Sequence, residues 1–160
     1  MHPSDVDNGL AAVRIFATNE RVNQLVIAKL DPAAWQAKPP GKVRSIAAIF
    51  CHMHNVRAKW IRLSAPQLKV PAQLKRSDCT MQQASAALAE SAVRCGEMLA
   101  VAREFRRDGW AKPWPVGPEM LCYMIAHEAH HRGQVCLLAH QLGYRLPDEV
   151  TAGMWSWERM

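Results

Sequence analysis

The stretch Met120–Leu142, MLCYMIAHEAHHRGQVCLLAHQL, constrains the fold more than any other part of the chain. It is the longest uninterrupted helical pattern and holds four of the seven histidines. Successive helical residues turn by about 100°, so His127 and His131 stand one turn apart on one face. Met120 and Met124 continue that face in one direction, and Gln134, Leu138 and Leu142 in the other. A pair of imidazoles therefore interrupts an apolar stripe that a helix of this kind buries. Buried polar groups need partners. Hydrogen bonds or a metal ion must satisfy this pair, and imidazoles at i and i+4 are spaced to share one transition metal.

The rest of the chain reads as further helices. With 160 residues, 49% apolar and 21% charged, it suits one soluble domain spanning residues 1–160. The first helix is expected from Ser4 or Asp5 to Leu30, stopped by Asp31-Pro32, with a polar interruption at Ala17–Asn23. The second is expected from Val43 or Ser45 to Leu63, with Ser45 as cap and Ile46, Ile49, Met53, Val56, Trp60 and Leu63 as its apolar stripe. Pro66 and Pro71 bracket a long loop, Ala65–Ser77. Thr80-x-x-Gln83 forms a capping box for a third helix, Met81–Phe105. A proline-rich connector, KPWPVGP, leads to Pro118 in the first turn of the fourth helix, which Gly143 ends. Val150–Trp157 forms a short terminal helix, with Trp155 and Trp157 packing the tail onto the bundle or forming a dimer interface. Four long helices define an all-α, four-helix-bundle fold.

Composition excludes several function classes. No apolar run approaches the roughly 20 residues that cross a bilayer. MHPSDVDNG lacks the basic and apolar regions of a signal peptide, so the default expectation is a cytoplasmic protein without membrane contact. The five cysteines are scattered, with no C-x-x-C, and read as reduced thiols. The net charge of +6 is spread along the chain, which fits a solvated basic surface better than a nucleic-acid interface.

Metal sites in bundles draw on inward side chains of facing helices. A third ligand has four candidates. His2 lies in a terminus, His140 points away from the His127/His131 face, and His54 points toward solvent. His52, on the edge of the second helix's apolar stripe, is the best placed. Three neutral imidazoles would leave one coordination position open, as in catalytic sites. His127-Glu128-Ala129-His130-His131 also matches H-E-x-x-H, in which the glutamate is a general base. The glycine and the later histidine of the longer protease pattern are missing, because Gln134 and Leu137 stand in their places. Glu128-x-x-His131 has no second E-x-x-H to complete a di-iron site.

His127-Glu128-Ala129-His130-His131-Arg132-Gly133-Gln134 is similar to the H-x-x-x-H-R-G-Q signature of the DinB/YfiT-like metalloenzyme superfamily. Ser45-Ile46-Ala47-Ala48-Ile49-Phe50-Cys51-His52, continued by Asn55-Val56-Arg57 and Trp60, resembles that family's second helix with its first ligand histidine. The resemblance covers nearly the whole chain. It implies up-down-down-up connectivity, with Ala65–Ser77 as the crossover, and a divalent-metal site of His52, His127 and His131. It also implies Zn or Ni as the ion, a homodimer, and a thiol-dependent S-transferase or isomerase acting on a small molecule with a low-molecular-weight thiol. The alternatives are a non-catalytic metal- or ligand-binding bundle and, behind it, a zinc hydrolase. Glu128 is the candidate proton acceptor. His130, Gln134 and Met124 are candidates for lining the pocket or supporting the ligands. Arg132, turned away from the histidine face, suits a structural ion pair. Gly133, costly by about 1 kcal/mol in mid-helix, suggests a close helix–helix approach.

Overall fold

The computed structural model describes residues 8–101 and 117–159. Among these, four long helices carry the fold: α1 (Asn8–Lys29), α3 (Ile46–Ser64), α4 (Met81–Val101) and α5 (Gly117–Gln141). Two short helices, α2 (Pro32–Trp35) and α6 (Asp148–Gly153), and a terminal 3₁₀ turn, Trp157–Arg159, complete the described structure. There is no strand among the described residues, and no helix there is long and apolar enough to cross a membrane.

Local chemistry sets most helix ends. Ser45 caps α3 by accepting from the Ala48 N–H at 3.2 Å. The box ahead of α4 is reciprocal: Thr80 N–H donates to Gln83 Oε1 at 2.8 Å, and Gln83 N–H to Thr80 Oγ1 at 3.1 Å. At the end of α5, Gly143 takes φ +85°. The Tyr144 N–H then reaches back to the Ala139 carbonyl at 2.8 Å, and the Gly143 N–H to that of His140 at 3.1 Å. A left-handed residue closing two orphan carbonyls in this way favours glycine. Asp31-Pro32 ends α1 as expected and also starts α2, where Asp31 Oδ1 accepts from the Ala33 N–H at 2.8 Å. The expected start of α1 at Ser4 or Asp5, residues 102–105 of the third helix, and all but the last residues of the KPWPVGP connector lie outside the described residues.

The helices run up-down-down-up. Gln24 bonds Ser85 while Val13 sits against Gly96, so α1 and α4 are antiparallel. One apolar cluster joins Val26 and Ile27 to Ile46, Ile49, Ala84, Leu88, Val135 and Ala139. The other joins Phe16 to Trp60, Ile61, Met98, Leu99, Met120 and Met124. These two ends place α5 parallel to α1, and α3 parallel to α4. Each of α1 and α3 packs on both α4 and α5. Burying a side chain such as Ile49, Phe50 or Met53, all 0–1% exposed, is worth about 1.5–3 kcal/mol each.

Parallel neighbours need a long return connection, and residues 65–80 supply it. That segment runs back along α3 and is pinned to it. His54 Nε2 donates to the Ala72 carbonyl at 2.8 Å. Asn55 exchanges two bonds of 2.9 Å with the Leu74 backbone. Cys51 Sγ donates to the Lys75 carbonyl at 3.9 Å. His54, expected toward solvent, is therefore fully buried. Helical period placed it off the apolar stripe, but a non-helical segment covers that side.

Two further expectations are corrected. The tail is anchored by Leu146 and Val150, both buried, whereas Trp155 is 84% and Trp157 37% exposed. The tryptophans do not seal the tail. Gly133 has open space where a Cβ would stand, so no close helix approach explains it.

Candidate metal centre

α3 and α5 run antiparallel, which sets His52 opposite the His127/His131 turn. The three imidazoles converge on their Nε2 atoms. His127 Nε2 lies 3.3 Å from His52 Nε2 and 3.2 Å from His131 Nε2, and ligand atoms of all three fall within 4.8 Å of one another. Four ligands placed tetrahedrally about a zinc-like ion at about 2.0–2.1 Å lie about 3.3 Å apart. The two spacings about His127 match that edge.

The protons also favour a cation at the centre. His131 Nδ1 donates to Gln134 Oε1 at 2.7 Å. In a neutral ring that leaves Nε2 with a bare lone pair. His127 Nε2, in contact with two other ring nitrogens, can carry at most one hydrogen and satisfy one of them. Hydrogen bonding within the trio therefore cannot satisfy every contact, and a bound cation can. Burial lowers the His52 and His127 imidazoles from 6.5 to about 4, with Arg44 next for His52 and His131 next for His127. Burial lowers His131 as well. All three are thus neutral, the ligating form, at pH 7. Behind His127, the Tyr123 ring stacks at 5.9 Å and is itself met edge-on by Trp60 at 5.6 Å. This aromatic backing fixes the imidazole's plane.

The remaining candidates are sorted by the same geometry. Gln134 holds His131 directly. His130 is exposed, its ring 5.1 Å from that of His131 and outside the trio. Met124 is 2% exposed and belongs to the apolar cluster with Phe16 and Met120, so it is core rather than pocket lining. His140 is exposed, as its helical angle suggested.

Glu128 is the largest change. It is 1% exposed, and both oxygens are taken. Arg57 grips it twice, Nε to Oε1 at 2.6 Å and Nη2 to Oε2 at 2.8 Å. Asn19 and Asn23 donate to Oε2 at 2.6 and 2.8 Å. Burial would raise its carboxyl, but the Arg57 charge and the hydrogen bonds of Arg57, Asn23 and Asn19 hold it below the ordinary carboxylate range. Such a carboxylate is a poor proton acceptor and is built into the core. This also removes the general base from the zinc-protease reading of HEAHH.

Glu128 belongs to a buried layer that sequence reasoning missed. Arg57 also meets Glu20 at 2.7 Å and donates to the Leu88 carbonyl at 2.8 Å. Arg132 donates to the Oδ1 atoms of Asn19 and Asn23 at 2.7 and 2.8 Å. Arg132 is thus structural, as expected, yet turned inward onto amides. Two arginines and two glutamates balance in charge, and the layer lies between the two apolar ends. The signal available was the polar run Ala17–Asn23 on α1, which puts Asn19, Glu20 and Asn23 on one inward face.

An all-helical bundle with three converging histidines defines the class of protein. The sequence model of the DinB family matches residues 6–156, and the chain belongs to that family. No curated protein and no solved structure matches it. Family membership and the three-histidine cluster fit a DinB-like metal-binding protein, and the cluster can hold an ion.

Proposed function

We propose that the protein is a divalent-metal-dependent enzyme of the DinB type, acting on a small molecule as a thiol-dependent S-transferase or isomerase. The observation that carries this reading is the spacing of the three Nε2 atoms, 3.2 and 3.3 Å about His127, which leaves the fourth corner of a tetrahedron to a ligand from outside the chain. A Zn²⁺- or Ni²⁺-type ion held by His52, His127 and His131 would lower the pKa of a thiol or water in that corner. The chain's own part is preparation. Burial keeps the imidazoles neutral, Gln134 fixes the His131 tautomer, and Tyr123 and Trp60 fix the plane of His127. Because Glu128 is locked to Arg57, the proton released on thiol ionisation passes to solvent or to the substrate rather than to this carboxylate.

The test is elemental analysis of protein purified without a histidine tag or nickel column, beside His127→Ala. One equivalent of a divalent metal is expected in the parent and none in the variant, with helical circular dichroism unchanged. Equal metal content in the two would sink the site. Metal-loaded protein that turns over no substrate in thiol-transfer and isomerase assays would leave the non-catalytic binding bundle as the reading.

A further inference from the structure

A cleft of about 600 Å³, joined to the histidine centre through Gln134, lies between the segment before α3 and the last turns of α5. Lys42, Val43 and Arg44 form one wall, and Gln134, Leu137 and Leu138 the other. Its lining carries two cations and no carboxylate. Arg44 is exposed and has no ion-pair partner among the described residues. It shares the cleft with Gln134, the residue that holds His131. Gln134 belongs to both places: its Oε1 accepts from His131, and its amide nitrogen has no partner among the described residues. Val43 and Leu137 are 56% and 57% exposed, a cost in apolar surface left to water.

We propose that this cleft binds an organic anion as the substrate or cosubstrate of the histidine centre, with Arg44 gripping a carboxylate and Val43, Leu137 and Leu138 covering a short apolar chain. The assignment to a substrate rests on the three histidines being the reaction centre. Guanidinium suits the task because its planar fork pairs both oxygens of a carboxylate. Lys42 adds charge, and the Gln134 amide can donate at the end nearest the centre. The absence of acidic side chains suits an anion better than a second copy of a chain whose own net charge is +6.

The experiment uses the metal-free full chain and calorimetric titration with hexanoate and with its neutral counterpart hexanamide. Hexanoate is expected to bind, and hexanamide about tenfold more weakly, as loss of a charge-assisted hydrogen bond implies. Arg44→Ala should bring hexanoate to the hexanamide level and Arg44→Lys should restore part of the difference. Equal binding of the two probes, or hexanoate binding untouched by Arg44→Ala, overturns the proposal. So does a dimer in sedimentation that Leu137→Asp dissociates, because a second copy would then fill the cleft. A parallel Co²⁺ titration, read by its visible absorption, separates the two readings. Co²⁺ binding without hexanoate discrimination removes the cleft and leaves the histidines. Discrimination without Co²⁺ binding removes the substrate assignment together with the metal reading.

Discussion

Neighbouring residues of α5 serve two regions with opposite design. His127 and His131 face His52, with His52 and His127 partly open to solvent and ring nitrogens that cannot all be satisfied by one another. Glu128 and Arg132 face the bundle's centre, buried, with every named oxygen and amide partner in place. The first region is incomplete without something from outside. The second is complete and neutral by itself. One residue of offset on a helix, about 100°, separates the part that asks for a ligand from the part that holds the helices in register. In H-E-x-x-H terms the glutamate belongs to the architecture, not to the chemistry.

The largest effect that would break this contrast is at Arg57. Arg57→Ala leaves the Glu128 and Glu20 carboxylates buried without their cation, and removal of one partner of a buried pair costs about 3–5 kcal/mol. Urea denaturation should show that loss, and an unchanged midpoint would show that the layer does not hold the fold. Glu128→Ala should be comparably damaging, whereas His127→Ala should leave the metal-free protein close to parental stability.

The two regions also separate by pH. In the metal-free protein His52 and His127 fall from 6.5 to about 4. Above 6.5 both folded and unfolded chains carry them neutral. Between 6.5 and about 4 the unfolded chain takes up protons that the folded one refuses, so stability falls as pH falls across that window. Glu128, lowered from 4.5, contributes stability present above that value and lost only as pH drops through its folded value. Thermal midpoints measured from pH 7 to 4 should decline, and His127→Ala should flatten the decline. A slope unchanged by that substitution would mean that the histidines are not the cause.

Gln134→Leu sharpens the contrast more gently. It removes the acceptor that fixes His131, and loss of such a supporting partner lowers metal affinity about 10–100-fold. Competition against a chelator would measure it, and parental affinity would show that the tautomer needs no help. Asn55→Ala is the smallest change. It frees the Leu74 backbone from the crossover pin, at about 0.5–1.5 kcal/mol, because these part-buried groups can turn to water. Amide exchange should quicken in residues 72–75 without touching α5.

These contrasts also explain what was legible in the sequence. Helix ends at Ser45, Thr80-x-x-Gln83 and Gly143 are local chemistry, and they fall where they were read. The histidine trio was legible because i,i+4 spacing and the edge of one apolar stripe fix directions within single helices. His54 was not, because its burial depends on where residues 65–80 travel, and helical period says nothing of that. Asn19, Glu20 and Asn23 looked like an interruption of α1 because their partners, Arg57, Glu128 and Arg132, stand on two other helices. Glu128 was misjudged for the same reason: its neighbour in sequence is a site residue, but its neighbours in space are not.

The up-down-down-up course has a consequence for how the chain acquires its shape. Helices next to each other in sequence, α1 and α3, stand diagonally across the bundle, and α3 reaches α4 only after the pinned return of residues 65–80. No pair of long helices can close as a simple hairpin. Productive helix pairing must instead close loops of tens of residues, which lengthens the search relative to an up-down bundle of equal size. Asn55 and His54, by holding the crossover against α3, shorten the α3–α4 closure and every longer one that spans residues 65–80. Stopped-flow refolding of Asn55→Ala should therefore slow in the folding limb, with little change in unfolding.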